Sequence, residues 1–279
     1  ASAERIFQAL DWHEQINEPE KPTVLPERIE GKLEFRDLSF GYESDNLVLR
    51  KVSVTIKPGE KLAVVGPTGS GKSTLIRLLG RFYDFPDKTI FLDDIDLKKI
   101  HSSEVRRRIG VVMQDFHIFS GSILDNIILG TKGVSRKDAI RAACLVNANS
   151  FIEQLPEGYD TQLVERGQNL SQGQRQLLAF ARVIATDPEI LVLDEATASI
   201  DTETEQLIQQ ALAKIMVGRT SIIIAHRLQT IQAADRILVL KHGAVKELGT
   251  HDELIALGGV YHTLNELQFQ DVSHPPDSP

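Results

Sequence analysis

The 279-residue sequence is short of several things, and each shortage excludes a class of answer. With one cysteine, no internal disulfide can staple the chain. That residue, Cys144, sits among alanines, leucine and valine and is expected to act as a small core residue. No run approaches the roughly 18 consecutive apolar residues that a membrane span requires. Positive charge is in deficit: 31 Lys and Arg against 39 Asp and Glu leave a net charge of −8, which argues against a polyanionic partner such as nucleic acid. Internal repeats and long low-complexity tracts are also missing. The chain opens without methionine and without a secretory pattern, since Glu4 and Arg5 precede only a short apolar stretch, and it reads as a piece of something larger. What remains, 42% apolar and 25% charged, is the composition of a globular protein with one large domain or two small ones.

Along the chain, Ala3, Ile6, Phe7 and Leu10 stand at helical spacing. Residues 14–30 then turn polar, acidic and proline-bearing (Pro19, Pro22, Pro26), so 1–28 is expected as an incoming helix end and linker, with a folded domain over 29–268. Alternating residues around Leu33 and Phe35, and at Val52, Val54 and Ile56, predict half-buried strands. Lys57-Pro58-Gly59-Glu60 predicts a type II turn. Short strands are predicted at Ile90–Leu92, Ile109–Met113, Ile190–Asp194, Ser221–Ala225 and Arg236–Leu240; the continuous apolar runs among them suit a parallel sheet covered on both faces. From about 116 to 186 helical periodicity dominates, which predicts a helical subdomain inserted between sheet strands. The tail 269–279, with three prolines, is expected to be disordered. The basic run Arg106-Arg107-Arg108 is expected as a solvated or salt-bridged face.

The central motif is GPTGSGKST, formed by Gly66, Pro67, Thr68, Gly69, Ser70, Gly71, Lys72, Ser73 and Thr74. It lies between an apolar strand and a helical pattern, the order that a phosphate-binding loop requires. Its glycines let successive N–H groups point at phosphate oxygens, and the following helix adds its positive dipole end. Lys72 is then placed to reach the outer phosphates, and the Ser73 hydroxyl to hold magnesium. Two further constellations join it. Ile190–Asp194 ends in Asp194 and Glu195 at the carboxyl end of a strand, where ligands of parallel sheets sit. Asp194 suits a magnesium contact through water, and Glu195 the polarising of a water that attacks the γ-phosphate; the alternative, a strand merely stopped by acids, loses weight beside a phosphate loop. Leu170-Ser171-Gln172-Gly173-Gln174 reads as a helix start capped by Ser171, a second anion-ready helix end in a chain that already has a phosphate loop. It is most economically read as serving another subunit's nucleotide.

With these residues on view the chain resembles, over about residues 30–268, the nucleotide-binding domain of ATP-binding cassette (ABC) exporters, whose signature is usually LSGGQ; here Gln172 replaces its first glycine. The resemblance implies a RecA-like α/β core with a mostly parallel sheet, an antiparallel β subdomain and an inserted helical signature subdomain. It implies ATP and magnesium as cofactors, and a second such domain as partner, each ATP being held by one phosphate loop and by Ser171, Gly173 and Gln174 of the other subunit. Tyr42 matches the aromatic that stacks on adenine, and Gln114 the glutamine that touches magnesium and the attacking water. Asp201, after Ser199 and Ile200, matches the loop that crosses to the opposite subunit. His226, at the end of an apolar strand, matches the histidine that contacts the γ-phosphate; a lone histidine there would more often be structural, and the other seven receive no role. Glu195, His226, Lys72 and Gln114 are thus the expected catalytic set, and Ser73, Gln114 and Asp194 the expected magnesium ligands. Thr161–Gly167 and Phe119–Ile127 resemble exporter segments, although Val164 stands where glycine is common. The whole is expected to be an ATPase on the cytoplasmic face of a membrane, powering drug or lipid export, with its membrane domain preceding residue 1. The alternative is a non-transport cassette ATPase of the DNA-repair or chromosome type. Those usually place a long coiled coil between phosphate loop and signature, whereas Lys72 and Ser171 are 99 positions apart here. A plain P-loop kinase or GTPase leaves LSQGQ and His226 unexplained, and no guanine-reading NKxD occurs. The Gln172 departure suggests a heterodimer with one degenerate site.

Overall fold

The computed structural model describes residues 16–43, 46–113, 116–194, 202–225 and 228–269. The predicted amphipathic start, the 270–279 tail, and Gln114, Glu195, Asp201 and His226 lie outside them. Strands β1 (Leu33–Phe40) and β2 (Leu49–Ile56) pair antiparallel, with Leu33, Phe35, Val52, Val54 and Ile56 facing inward as the alternation predicts, while a register shift after Phe35 breaks the alternation and turns Leu38 inward. In the following turn the Glu60 N–H donates to the Lys57 carbonyl (3.0 Å) and Gly59 takes φ of +74°, as the Pro58-Gly59 pair requires. The chain then enters β3 (Lys61–Val65) and helix α1 (Lys72–Leu79). Strands β4 (Ile90–Leu92) and β5 (Ile95–Asp96) complete an antiparallel sheet of order β2-β1-β4-β5.

Helix α2 (Ser102–Arg108) leads into β6 (Ile109–Val112). A helical layer follows: the two-residue strand β7 (Gly121–Ser122), α3 (Ile123–Ile128), α4 (Arg136–Leu145), β8 (Gln162–Leu163), which pairs with β7, and α5 (Gln172–Ile184). The chain returns through β9 (Ile190–Asp194), α6 (Thr202–Ile215), β10 (Thr220–Ile224), α7 (Leu228–Gln232), β11 (Arg236–Lys241), β12 (Ala244–Gly249), α8 (His251–Leu257) and α9 (Val260–Phe269). Among the described residues the main sheet has the order β12-β11-β3-β10-β9-β6. Its strands run parallel except β12, which turns back along β11 through His242 and Gly243. β12 escaped the sequence reading because its alternation is mostly polar and half-exposed.

Each central strand divides its side chains between two cores. Leu62 and Val64 of β3, Ile190 and Val192 of β9, and Ile222 and Ile224 of β10 join α1 and the antiparallel sheet. Ala63, Val65, Leu191, Leu193 and Ile223 face α5 and the rest of the helical layer. Full burial of one such aliphatic side chain contributes about 1.5–3 kcal/mol, so the double-faced sheet is the rigid centre of the molecule.

Two expectations are corrected here. Cys144 is exposed, not a core residue. The buried stripe of α4 runs through Ala139, Ala142 and Ala143 to Val146, the i, i+3, i+4, i+7 set, which leaves position 144 on the outer side. The arginine run is salt-bridged as expected, but Arg108 is buried and does not lie on a surface face. Arg108 is 4% exposed, pairs with Glu189 (2.8 Å) and Glu104 (2.9 Å), and donates to the carbonyls of Pro26 and Glu27 (2.7 Å each). Arg106 donates to the carbonyls of Gly80 and Arg81, just past the end of α1.

The stretch expected as a linker is therefore fastened to the domain. Arg81, fully buried, donates to the Asn17 carbonyl (3.2 Å) as well as to Leu97 and Ile100. Glu18 accepts from the Ser102 N–H (3.0 Å), and Leu25 and Ile29 enter the core. Arg108→Ala is expected to lower unfolding stability by roughly 3–5 kcal/mol, because Glu189 and two carbonyls lose a buried partner. Arg107→Ala, whose side chain is 57% exposed, is expected to change it by less than about 0.5 kcal/mol. Urea unfolding of the two variants side by side checks this; equal losses would place the effect in α2 as a whole.

Candidate nucleotide site

The carboxyl ends of three neighbouring strands are brought level by their register: Val64 of β3 faces Ile224 of β10, which faces Asp194 of β9. The residues that leave these ends are Gly66 after β3, His226 after β10 and Glu195 after β9. Strand β6 lies beyond β9 in the same direction and leads to Gln114. Pairing thus gathers onto one edge the ends of four strands that are scattered over the sequence.

The loop itself has a backbone only glycine allows at its first position. Gly66 has φ of +152° and lies so close to β11 that a Cβ would collide with the Leu240 carbonyl. Gly71, at φ of +103°, precedes α1 without any side-chain cap, and the first turn carries no acidic residue. The amino-terminal N–H groups of α1 therefore meet an anion unopposed. The Ser70 carbonyl accepts from the Gly243 N–H (3.2 Å), which ties the loop to the β11–β12 turn, while the Ser70 Oγ is buried with no hydrogen-bond partner. Lys72 is 8% exposed and folds back into the loop, its Nζ donating to the carbonyls of Gly66 (2.7 Å) and Pro67 (3.1 Å). Burial lowers its pKa, and the nearby Asp194 carboxylate opposes that shift. Incoming phosphate oxygens would offer the Lys72 ammonium charged acceptors in place of neutral carbonyls, and the Ser70 hydroxyl a partner.

Ser73 is exposed in the first turn of α1, and Asp194 is half-buried at the end of β9, close enough to Lys72 to influence its charge. A hydroxyl and a carboxylate are the hard oxygen donors that magnesium takes together with phosphates and water. Thr74 is buried and its Oγ1 lies 3.1 Å from the hydroxyl of Tyr42, which the sequence reading placed at the base. Pro67, Thr68 and Gly69 form the exposed outer bend of the loop.

The signature residues lie in another part of the molecule, on the helical layer. Ser171 caps α5 as predicted: the Gln174 N–H donates to Ser171 Oγ (3.2 Å) and the Ser171 N–H to Gln174 Oε1 (2.9 Å). Gln172 occupies an exposed position, where a side chain fits. Gly173 is buried, and a Cβ there would collide with Thr204 of α6. The pattern therefore tolerates substitution at 172 and not at 173, for a steric reason.

Sequence reasoning missed Arg77 and Tyr83, which surround Tyr42. The one signal for Arg77 was its place one turn beyond Thr74 on α1. A cleft lined by Glu27, Arg107, Arg108, Asp187, Glu189 and Arg219 lies at the amino ends of β9 and β10, the wrong edge for chemistry, and Glu189 and Asp187 already pair with Arg108 and Arg219.

Comparison with known proteins agrees with this geometry. The family model described as ABC transporter matches residues 49–198, more than half of the chain. The uncharacterized ABC transporter ATP-binding protein YfiC of Bacillus subtilis is 48% identical over 270 residues, 97% of this chain and 44% of that protein. The ATP-dependent lipid A-core flippase of Syntrophus aciditrophicus is 44% identical over 271 residues, 97% of this chain and 45% of that protein. A solved structure of a bacterial Atm1-family ABC exporter with ATP bound superposes with a TM-score of 0.85 at 36% identity, covering 99% of this chain and 47% of that one. The chain thus spans less than half the length of these relatives. With the loop, the strand register and the separate signature helix in one chain, it belongs to the ABC transporter family as an ATP-binding domain.

Proposed function

We propose that this domain binds and hydrolyses ATP with magnesium to power export across a membrane, and that it works as one half of an ATP sandwich. The observation that carries this reading is the separation of two anion-ready helix ends: α1 behind the phosphate loop, and α5 capped by Ser171 on the helical layer. A second domain turned to face the first would lay its Ser171, Gly173 and Gln174 over the nucleotide held by Lys72 and the loop amides. Lys72 and the loop neutralise phosphate charge. Ser73, Asp194 and Gln114 are assigned to the magnesium ion, whose bound charge offsets that building on the transferred phosphoryl group. Glu195 accepts the proton of the attacking water, and His226 and Gln114 position the γ-phosphate and that water. Asp201 crosses to the other subunit, and Tyr42 stacks on the adenine.

The membrane domains of the same transporter, about six spans in a segment before residue 1, are the other assigned partner, and their export substrate is a lipid or drug-like compound, in line with the flippase relative. The domain then lies on the cytoplasmic face of the membrane. Gln172 in place of glycine favours a heterodimer in which this chain's signature serves the weaker site. In a Glu195→Gln background, ATP and magnesium are expected to leave the purified chain mostly monomeric by light scattering at micromolar concentration, and dimeric only with its cognate partner chain. A stable ATP-dependent homodimer would overturn the heterodimer assignment but keep the sandwich. No ATP-dependent association with either would overturn the sandwich itself.

A further inference from the structure

Tyr42 is 44% exposed, as a residue that meets a ligand should be, yet its ring is held from three sides. Phe40 and Tyr83 both meet it edge-on, with ring centroids 5.3 Å and 5.0 Å away at interplanar angles of 82° and 80°. Such edge-to-face contacts resist rotation of the ring. Its hydroxyl makes two hydrogen bonds: it accepts from Arg77 Nη1 (3.2 Å) and shares one with the Thr74 hydroxyl (3.1 Å). Thr74 and Arg77 lie one turn apart on α1, the helix whose amino end follows the phosphate loop. The segment after β1 is thereby tied to the phosphate-binding element by a bond from a charged donor across 35 residues of sequence.

We propose that Arg77, with Tyr83 packed against the ring, is a positioning residue that fixes Tyr42 as a base platform, so that the purine and the phosphates of one nucleotide are both referred to a single rigid element, α1. This rests on the assignment of Tyr42 to the adenine given above. Arg77 donates to Tyr42, and its removal is expected to act through the Tyr42 hydroxyl.

The test is a titration series with ATP and, as a base-free probe, inorganic tripolyphosphate. Arg77→Ala and Tyr42→Phe are each expected to weaken ATP binding roughly three- to tenfold, the scale of one net hydrogen bond. The Arg77→Ala/Tyr42→Phe double variant is expected to be no weaker than either single one, because both remove the same bond. Tyr42→Ala, which removes the stacking ring, is expected to cost more, on the order of ten- to a hundredfold. Tripolyphosphate affinity should stay unchanged in all four. Additive losses in the double variant, or a matching loss for tripolyphosphate in Arg77→Ala, would overturn the proposal by showing that Arg77 meets the ligand itself. A Tyr42→Ala loss with no effect of Arg77→Ala and Tyr42→Phe would overturn the positioning role while sparing Tyr42 as platform. Unchanged ATP affinity in Tyr42→Ala would overturn the platform, and the proposal with it.

Discussion

Glu195→Gln is expected to reduce ATP turnover by on the order of 10²–10⁴-fold, the usual contribution of a positioned general base, while ATP affinity stays within about twofold of the parent. The reason begins in the sheet. β9 is paired to β10 along its whole length and to β6 from Ile190 to Leu193, and Asp194 is its last residue. Glu195 follows it directly in the sequence, and the end of β9 lies on the edge from which the phosphate loop also departs. Gln has nearly the same shape as Glu but carries an amide that cannot take a proton from water at neutral pH. On the proposed reading, binding relies on Lys72, Ser70 and the loop amides, which the change leaves alone. Single-turnover phosphate release and equilibrium ATP titration, run on the same preparations with the partner domain present, separate the two quantities. Near-normal release in the variant would remove Glu195 from the role of base.

Gly66→Ala should be the most damaging single-methyl change in the loop. The new Cβ meets the Leu240 carbonyl, a backbone atom near the end of β11 where that strand pairs with β12, so relief requires the main chain itself to shift. The φ of +152° adds conformational strain. Together these costs are roughly 2–6 kcal/mol, enough to unfold much of a marginal domain. Gly69→Ala is the control, since its φ of +77° is also unfavourable but open space surrounds the added methyl. It should lose only about 1–3 kcal/mol. Urea midpoints of the two variants, compared at equal denaturant sensitivity, isolate the collision with β11. Equal losses would mean that the loop, and not the strand behind it, absorbs the change.

The same contrast runs through the molecule. The strands around Leu33, Val54, Leu191 and Ile222, the turn at Pro58-Gly59, the cap at Ser171 and the phosphate loop were all visible in the sequence. Each depends on residues within a few positions of one another, through alternation, capping or glycine geometry. The position of Cys144 was misread because neighbouring apolar residues on α4 leave two adjoining stripes to choose from, and only the packing partners select the one through Ala139, Ala142 and Ala143. The salt bridges of the arginine run were foreseen, but the burial of Arg108 was not, for a related reason. Arg108 is buried by Glu189, Glu27 and Pro26, the nearer of which is more than 80 positions away.

What the sequence determined by itself is that this chain carries a phosphate loop, an acidic strand end and a second capped helix end, because local spacing suffices for each. The tertiary structure alone decided three further things. It set the register that aligns Val64, Ile224 and Asp194. It set the close approach of α5 and α6 that demands glycine at 173 while admitting Gln172. It also set the bond from Arg77 to Tyr42. These depend on how sheet pairing and two separate cores bring distant segments within a few ångströms, a distance that no local rule of sequence encodes.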